Sequence, residues 1–338
     1  MTSCEIVRRA VSFQNPPRIP YNFDSNRTPD NGHRYGEDFM WVFLDKPEHA
    51  PESGHPYKRI DEWGCVWETM EGSGSFGEPK FFPLEGVEDA GDYKIPQFNI
   101  PSRYRTLEKQ VAANAGEKYV LGMLPHGLFQ ILLHLFGFMD FMMQTAGNQE
   151  NIEKLVDALL ESAIGTVEMM ADRGVNGVIL IEDMGLQDRL MISPEKWRDI
   201  FKPRFKKLFD AAHARNMQVF SHTCGQIVEI MDDLIEIGLD VIQMDQQDNM
   251  GINLLAERFA GRICFFCCLD IQTTLQLDAA QIDERVKQMV AAFASPHGGF
   301  IAKTYPQPEA IRATHEYMQT MCNAFKKYGT PQSEYSAH

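Results

Sequence analysis

From residue 104 onward, short apolar runs alternate with longer amphipathic stretches, and this alternation predicts strands and helices in succession. Residues 104–115 read as a helix. Residues 118–123 form an apolar run closed by Leu124-Pro125-His126-Gly127, which predicts a buried strand and its loop. Residues 128–145 read as one Phe- and Met-rich helix, and residues 148–173 as a long amphipathic one. Further strands are predicted at 177–182, 218–222, 240–244, 263–268 and 299–302. Helices are predicted at 194–216, 226–237, 252–259, 279–293 and 308–327. Ser193-Pro194-Glu195 is a helix start, with a capping hydroxyl, a proline at the first helical position and an acid at the positive end of the dipole.

Six strand–helix units with nearly continuous apolar strands imply parallel strands covered by helices. A closed barrel and an open doubly wound sheet both satisfy that order. No Gly-rich phosphate loop follows any strand, and this favours the barrel. The predicted fold is α/β, a (β/α)8 TIM barrel formed by residues 1–338 as a single domain. Such barrels commonly reach the chain's 338 residues. Residues 1–100 hold one strand-like piece at 18–23 and are otherwise read as a loop-rich N-terminal extension decorating one mouth.

The net charge of −15 disfavours nucleic acid as a partner, because a phosphate-backbone binder carries the opposite balance. It also disfavours an anionic membrane. The apolar helix at 128–145 approaches the roughly 18 residues of a membrane span, but Gln130, His134, Asp140 and Gln144 interrupt it. No basic segment followed by an apolar one marks the N-terminus, so a cytoplasmic protein is expected. The seven cysteines are odd in number and unevenly spaced, which suggests thiols or metal ligands rather than a disulfide framework.

Polar residues stand where the predicted strands end: His126, Glu182-Asp183, His222-Thr223-Cys224, Asp245, Cys267-Cys268-Leu269-Asp270 and Lys303-Thr304-Tyr305. In a barrel these ends share one mouth, where active sites form. His222 and Cys224 are two apart in an extended segment, so imidazole and thiolate face the same side, and both are good zinc ligands. Cys267 or Cys268, and Glu182 from the preceding strand, are the residues expected to complete a tetrahedral site. Which cysteine points inward depends on register.

Asp61-Glu62-Trp63-Gly64, Glu182-Asp183-Met184-Gly185, Ile192-Ser193-Pro194-Glu195 with Phe201-Lys202-Pro203, His222-Thr223-Cys224-Gly225, Leu269-Asp270-Ile271-Gln272 and Gly298-Gly299-Phe300 occur in order along the chain. In this series the chain resembles the uroporphyrinogen decarboxylase superfamily over nearly its whole length. The resemblance implies a (β/α)8 barrel. The decarboxylases proper use no metal and carry an arginine-rich N-terminal segment. The stretch from Asp24 through Arg27 to Arg34 does not match it. The other branch contains zinc-dependent, corrinoid-linked methyltransferases with a His-x-Cys where His222 and Cys224 fall. Those that use a thiol coenzyme carry a cysteine near the last strand, where Gly299 to Tyr305 has none. The chain therefore looks more like methyltransferases that demethylate methoxylated aromatics.

On that resemblance, His222, Cys224 and Cys267 hold Zn2+, with Cys268 as the alternative to Cys267 and Glu182 as a fourth or labile ligand. Glu182, Asp183 and Tyr305 are the expected catalytic groups, and His126, Asp24 and Lys303 the expected substrate contacts. No Asp-x-His-x-x-Gly segment occurs, so the corrinoid is expected on a separate partner protein. The implied reaction is methyl transfer from a small methoxylated aromatic to Co(I) of that partner. The alternatives are a metal-free decarboxylase of a porphyrinogen-like polycarboxylate, transfer from a methylcorrinoid to an acceptor, and a non-catalytic binding subunit. A homodimer is compatible with the sequence.

Overall fold

The computed structural model describes residues 1–23, 35–48, 53–69 and 77–330. Its strands in chain order are β1 (Tyr21–Asn22), β2 (Phe39–Val42), β3 (Lys58–Ile60), β4 (Val66–Glu68), β5 (Glu78–Phe81), β6 (Tyr119–Met123), β7 (Gly177–Ile181), β8 (Gln218–His222), β9 (Val241–Met244), β10 (Cys264–Cys267) and β11 (Phe300–Lys303). Eight of them form one sheet in the order β1-β11-β10-β9-β8-β7-β6-β2, every neighbouring pair parallel. The ends of this sheet meet where Asn22 bridges Glu37 and the Asp38 N–H donates to the Tyr21 carbonyl at 2.8 Å. The result is a nearly closed (β/α)8 barrel. The remaining strands β3, β4 and β5 make a small antiparallel sheet.

Side chains of period two fill the barrel. Phe39, Trp41, Tyr119, Leu121, Ile179, Phe220, Val241, Cys264, Phe266 and Ile301 pack together inside it with Val7 and Val11 of the helix Ser3–Val11. Phe39 stacks on Phe266 at 5.5 Å between ring centroids, and Phe220 meets both rings edge-on. The alternate residues, among them Val120, Val178, Leu180, Val219, Ile242, Phe265 and Cys267, face the surrounding helices. Full burial of each large apolar side chain contributes about 1.5–3 kcal/mol, so this two-sided burial fixes register strongly.

Three features differ from expectation. Among the described residues of 1–100 are two barrel strands, of which β1 lies in the strand-like piece expected at 18–23, together with a helix and the small sheet, besides loops. The apolar stretch at 128–145 is two helices, Gln130–Phe136 and Phe138–Gly147, broken at Gly137. Its φ of +74° suits glycine, and a Cβ there would lie 3.1 Å from the Phe82 ring. The stretch at 194–216 divides at Phe201 into Pro194–Ile200 and Lys202–Ala214, because Pro203 offers no N–H to continue the ladder. Among the described residues no helix is long and apolar enough to cross a membrane.

Candidate metal centre

Strand β8 points Phe220 into the barrel, so His222 and then Cys224 follow on the inner side. Beyond β7 the same parity puts Asp183 on the inner side and Glu182 on the outer. Asp183 Oδ1 accepts the Cys224 N–H at 2.7 Å and lies 3.5 Å from His222 Nε2. Cys224 Sγ is 3.6 Å from the same nitrogen. The three donor atoms, one O, one N and one S, all lie within 4.8 Å of one another.

The glycines of the two motifs explain how these loops come together. Gly225 has φ +79°, and a Cβ on it would fall 2.3 Å from the Gly185 carbonyl oxygen. A Cβ on Gly185 would fall 2.5 Å from the Gln226 nitrogen. The Gln226 N–H donates to the Leu186 carbonyl at 2.7 Å. The Glu182–Gly185 and His222–Gly225 segments are thus pressed backbone to backbone, and only glycine permits the approach.

His222 is fixed in one tautomer. Its Nδ1 lies 2.5 Å from Gln243 Oε1, while Gln243 Nε2 donates to Asp245 Oδ1 at 3.0 Å. A carboxylate accepts only, so the amide orientation is set, and Nδ1 must carry the hydrogen. Nε2 is left with its lone pair toward Asp183 and Cys224. Asp245 also receives Lys303 Nζ at 2.6 Å and Cys268 Sγ at 3.2 Å. Burial opposes the charged form of Asp245, yet Lys303 holds its carboxyl below the ordinary range. Burial likewise opposes the Lys303 charge, and Asp245 keeps its pKa above the ordinary value. Burial, then Asp183, pushes the Cys224 thiol up. A thiol so placed becomes a thiolate when a cation compensates it.

The residues fit zinc. Bonds of about 2.0–2.3 Å in a tetrahedral site separate neighbouring donors by roughly 3.3–3.8 Å, and the two separations from His222 Nε2 lie in that range. A His whose other nitrogen donates to a fixed acceptor is the usual arrangement around such a metal.

The other expected residues take different places. Glu182 is fully buried and lies outside the metal cluster. Its carboxylate accepts the N–H groups of Leu128, Phe129 and Gln130 at 2.5, 3.0 and 2.9 Å. Burial pushes its pKa up to about 7. It anchors the loop before the helix Gln130–Phe136, and Gly127 leaves the room, since a Cβ there would sit 2.3 Å from Glu182 Oε1. Cys267 faces the helices with the outer layer, and Cys268 faces inward on Asp245, so neither joins the cluster. His126 is buried between Trp63 and Phe98, with Nδ1 2.9 Å from the Gly127 carbonyl and Nε2 3.3 Å from Ser162 Oγ. Lys303 engages Asp245, and Tyr305 is half-buried with its ring centroid 5.8 Å from Lys303 Nζ. Asp24 lies outside the described residues. Sequence reading missed Gln243. Its position two residues before Asp245, on the strand beside His222, was the available signal.

Among curated proteins none matches this chain by sequence. Among solved structures, a methyltransferase from Methanosarcina mazei has a TM-score of 0.71 at 13% identity, covering 97% of this chain and 99% of that one. An L-ribulose 3-epimerase has a TM-score of 0.42 at 12% identity, over 70% of this chain and 86% of the other. The first of these is a likeness of fold. The family described as Uroporphyrinogen decarboxylase (URO-D) matches residues 62–304, a span that begins at the loop before β4, ends just beyond β11 and contains Asp183, His222 and Cys224. That match covers well over half of the sequence, and the chain belongs to the uroporphyrinogen decarboxylase family.

Proposed function

We propose that this chain is a zinc-dependent methyltransferase that moves a methyl group from a methoxylated aromatic to the Co(I) corrinoid of a separate protein. The observation that carries the reading is the convergence of Asp183, His222 and Cys224, with His222 Nε2 freed by its bond to Gln243. The Methanosarcina mazei structure, described as a methyltransferase, supports it through fold over nearly the whole chain. Asp183 takes the ligand role first expected of Cys267 or Glu182.

In the overall reaction the bond between methyl carbon and ether oxygen breaks. The carbon passes to the corrinoid, and the oxygen keeps the electron pair and gains a proton. When bound, zinc supplies a Lewis acid toward the ether oxygen, which offsets the poor leaving ability of a phenolate. Asp183, His222 and Cys224 hold that cation, and Gln243 keeps the imidazole oriented. We assign Tyr305 and Lys303, on the β11 side of the mouth, to the leaving oxygen. Burial raises the Tyr305 hydroxyl above its ordinary value, so it stays protonated and able to donate at neutral pH.

Metal content of the purified chain tests this reading. About one zinc per chain is expected, lost on His222→Ala or Cys224→Ser and weakened on Asp183→Asn, with the barrel's circular dichroism preserved. Substituting Co(II) should give sulfur-to-cobalt absorption that vanishes in Cys224→Ser. A chain that binds no zinc when kept reduced and free of chelators sinks the reading. The metal-free decarboxylase would then take its place.

A further inference from the structure

A cavity of about 460 Å³ opens over the ends of β2 and β6, at the same mouth of the barrel as the metal centre. Trp63, Trp67 and Phe98 give it aromatic walls, and Met123 forms part of its lining at the end of β6. Its volume falls within the range of small-molecule sites, which join apolar walls to a few convergent polar groups.

His134 is one such polar group. Its ring meets Trp67 edge-on at 4.8 Å. Gln130 Oε1 accepts the Asp183 N–H at 3.1 Å, so its amide nitrogen is the atom 3.0 Å from His134 Nε2. An amide nitrogen only donates, so Nε2 accepts and Nδ1 carries the hydrogen. That Nδ1–H has no partner among the described residues. Two hydrogen bonds therefore connect a free donor of the cavity lining to the backbone of a metal-centre residue.

The charges divide unevenly. Asp61 is consumed by the Trp63 and Cys65 N–H groups and by Trp67 Nε1, at 2.9, 3.0 and 2.6 Å. Glu62 holds Arg103 through both oxygens at 2.8 Å. Lys46 and Arg59 have no carboxylate partner among the described residues, and Arg59 lies over the Trp67 ring at 5.0 Å. The lining thus carries three cations against two carboxylates, in a chain whose net charge is −15. A local excess of positive charge on so acidic a protein recruits an anion.

We propose that this cavity binds an aromatic carboxylate, its ring against the wall formed by Trp63, Trp67 and Phe98, its carboxylate toward Arg59 and Lys46, and a second polar substituent against His134 Nδ1–H. The assignment rests on the methyl-transfer reading for its purpose, since it names the class of methyl donor, but none of the residues it invokes is a metal ligand. Guanidinium and ammonium recognise the carboxylate, and the indole faces recognise the ring.

Two of the chain's four tryptophans line the cavity, so their fluorescence reports occupancy. The zinc-loaded full chain is titrated with 4-methoxybenzoate and with methoxybenzene, which lacks the carboxylate. The carboxylate is expected to bind roughly ten-fold tighter, with the advantage shrinking as salt screens two exposed cations. The double substitution Arg59→Gln and Lys46→Gln should bring the two ligands to parity while zinc content stays unchanged. Calorimetry on the same chains removes any dependence on the altered Trp67 surroundings. Equal affinities in the unsubstituted chain, or a carboxylate preference that survives the double substitution, overturns the proposal. The same titration after chelation separates the two readings. A carboxylate preference kept without zinc supports the cavity even where methyl transfer has failed, and its absence with zinc intact rejects the cavity alone.

Discussion

Gln243 has a fixed neighbour on each side, His222 Nδ1 at 2.5 Å and Asp245 Oδ1 at 3.0 Å. Its substitution by leucine keeps the bulk and removes both bonds, so the imidazole loses its orientation and its preferred tautomer. Such partners of metal-bound histidines typically change affinity about 10–100-fold. Gln243→Leu is expected to weaken zinc by that factor in a chelator competition, whereas Gln243→Asn retains the amide and should recover part of the loss. Affinity equal to the unsubstituted chain in both would remove Gln243 from the centre. At this scale the sequence was legible where spacing alone sets direction. His222 and Cys224 are two apart, and the extended backbone puts both on one side. It was not legible where parity needed a marker. Strand β10 and the residue after it read Cys-Phe-Phe-Cys-Cys, apolar on both faces, so nothing in the pattern told Cys267 from Cys268. The same one-residue difference exchanged Glu182 for Asp183, because adjacent acids at a strand end look alike until the inner face is known.

The loops after β7 and β8 act as one element. Gly185 and Gly225 occupy each other's missing Cβ space, and Asp183 Oδ1 ties the pair to the Cys224 N–H. Gly225→Ala meets both a contact of 2.3 Å and a φ of +79°, and a strained residue of that kind costs on the order of 1–3 kcal/mol. Gly185→Ala presses on the same contact from the other side. Each single substitution should lower the thermal midpoint and weaken zinc. The double substitution should cost clearly less than the two singles together, since either alone already forces the loops apart. Strict additivity in the double-mutant cycle would count against the back-to-back contact. At the scale of elements, the alternation from β6 to β11 was visible because each strand is an apolar run followed by an amphipathic helix. Strand β1 lies within the strand-like piece read at 18–23, although it was not recognised as part of the barrel, and β2 was not seen at all. The first is two residues long, and among the described residues the next element after β1 is β2 and the next after β2 is β3, so the strand–helix rhythm that marks the others is missing. The breaks at Gly137 and Phe201 were hidden for a different reason. Apolar periodicity runs on across both, and only the local backbone chemistry of Gly137 and Pro203 stops the helix.

Across the whole molecule, stability against acid gathers the effects of buried titratable groups, and His126 is the clearest of them. It lies outside the metal cluster, between Trp63 and Phe98, and burial pushes its pKa down to about 4 from an ordinary 6.5. The unfolded chain takes up this proton near pH 6.5, and the folded chain only near pH 4. Between those values unfolding binds a proton, so folding stability falls as the pH falls, and the fall ends once the folded state is protonated as well. A shift of that size corresponds to about 3 kcal/mol over the whole window. Glu182, pushed up to about 7 by burial, works in the opposite sense over part of the same range. The difference between two chains therefore isolates His126 better than one absolute curve. His126→Asn does not titrate, and loss of its ring contacts should lower stability at pH 7. Its deficit against the unsubstituted chain should then shrink steadily from pH 6.5 to pH 4, as the histidine's own penalty grows in the unsubstituted protein. Urea unfolding of both chains at half-unit pH steps reads the difference directly. A deficit that stays constant through the window would mean that His126 takes its proton in the folded chain as readily as in the unfolded one, and that its burial between Trp63 and Phe98 does not govern its charge.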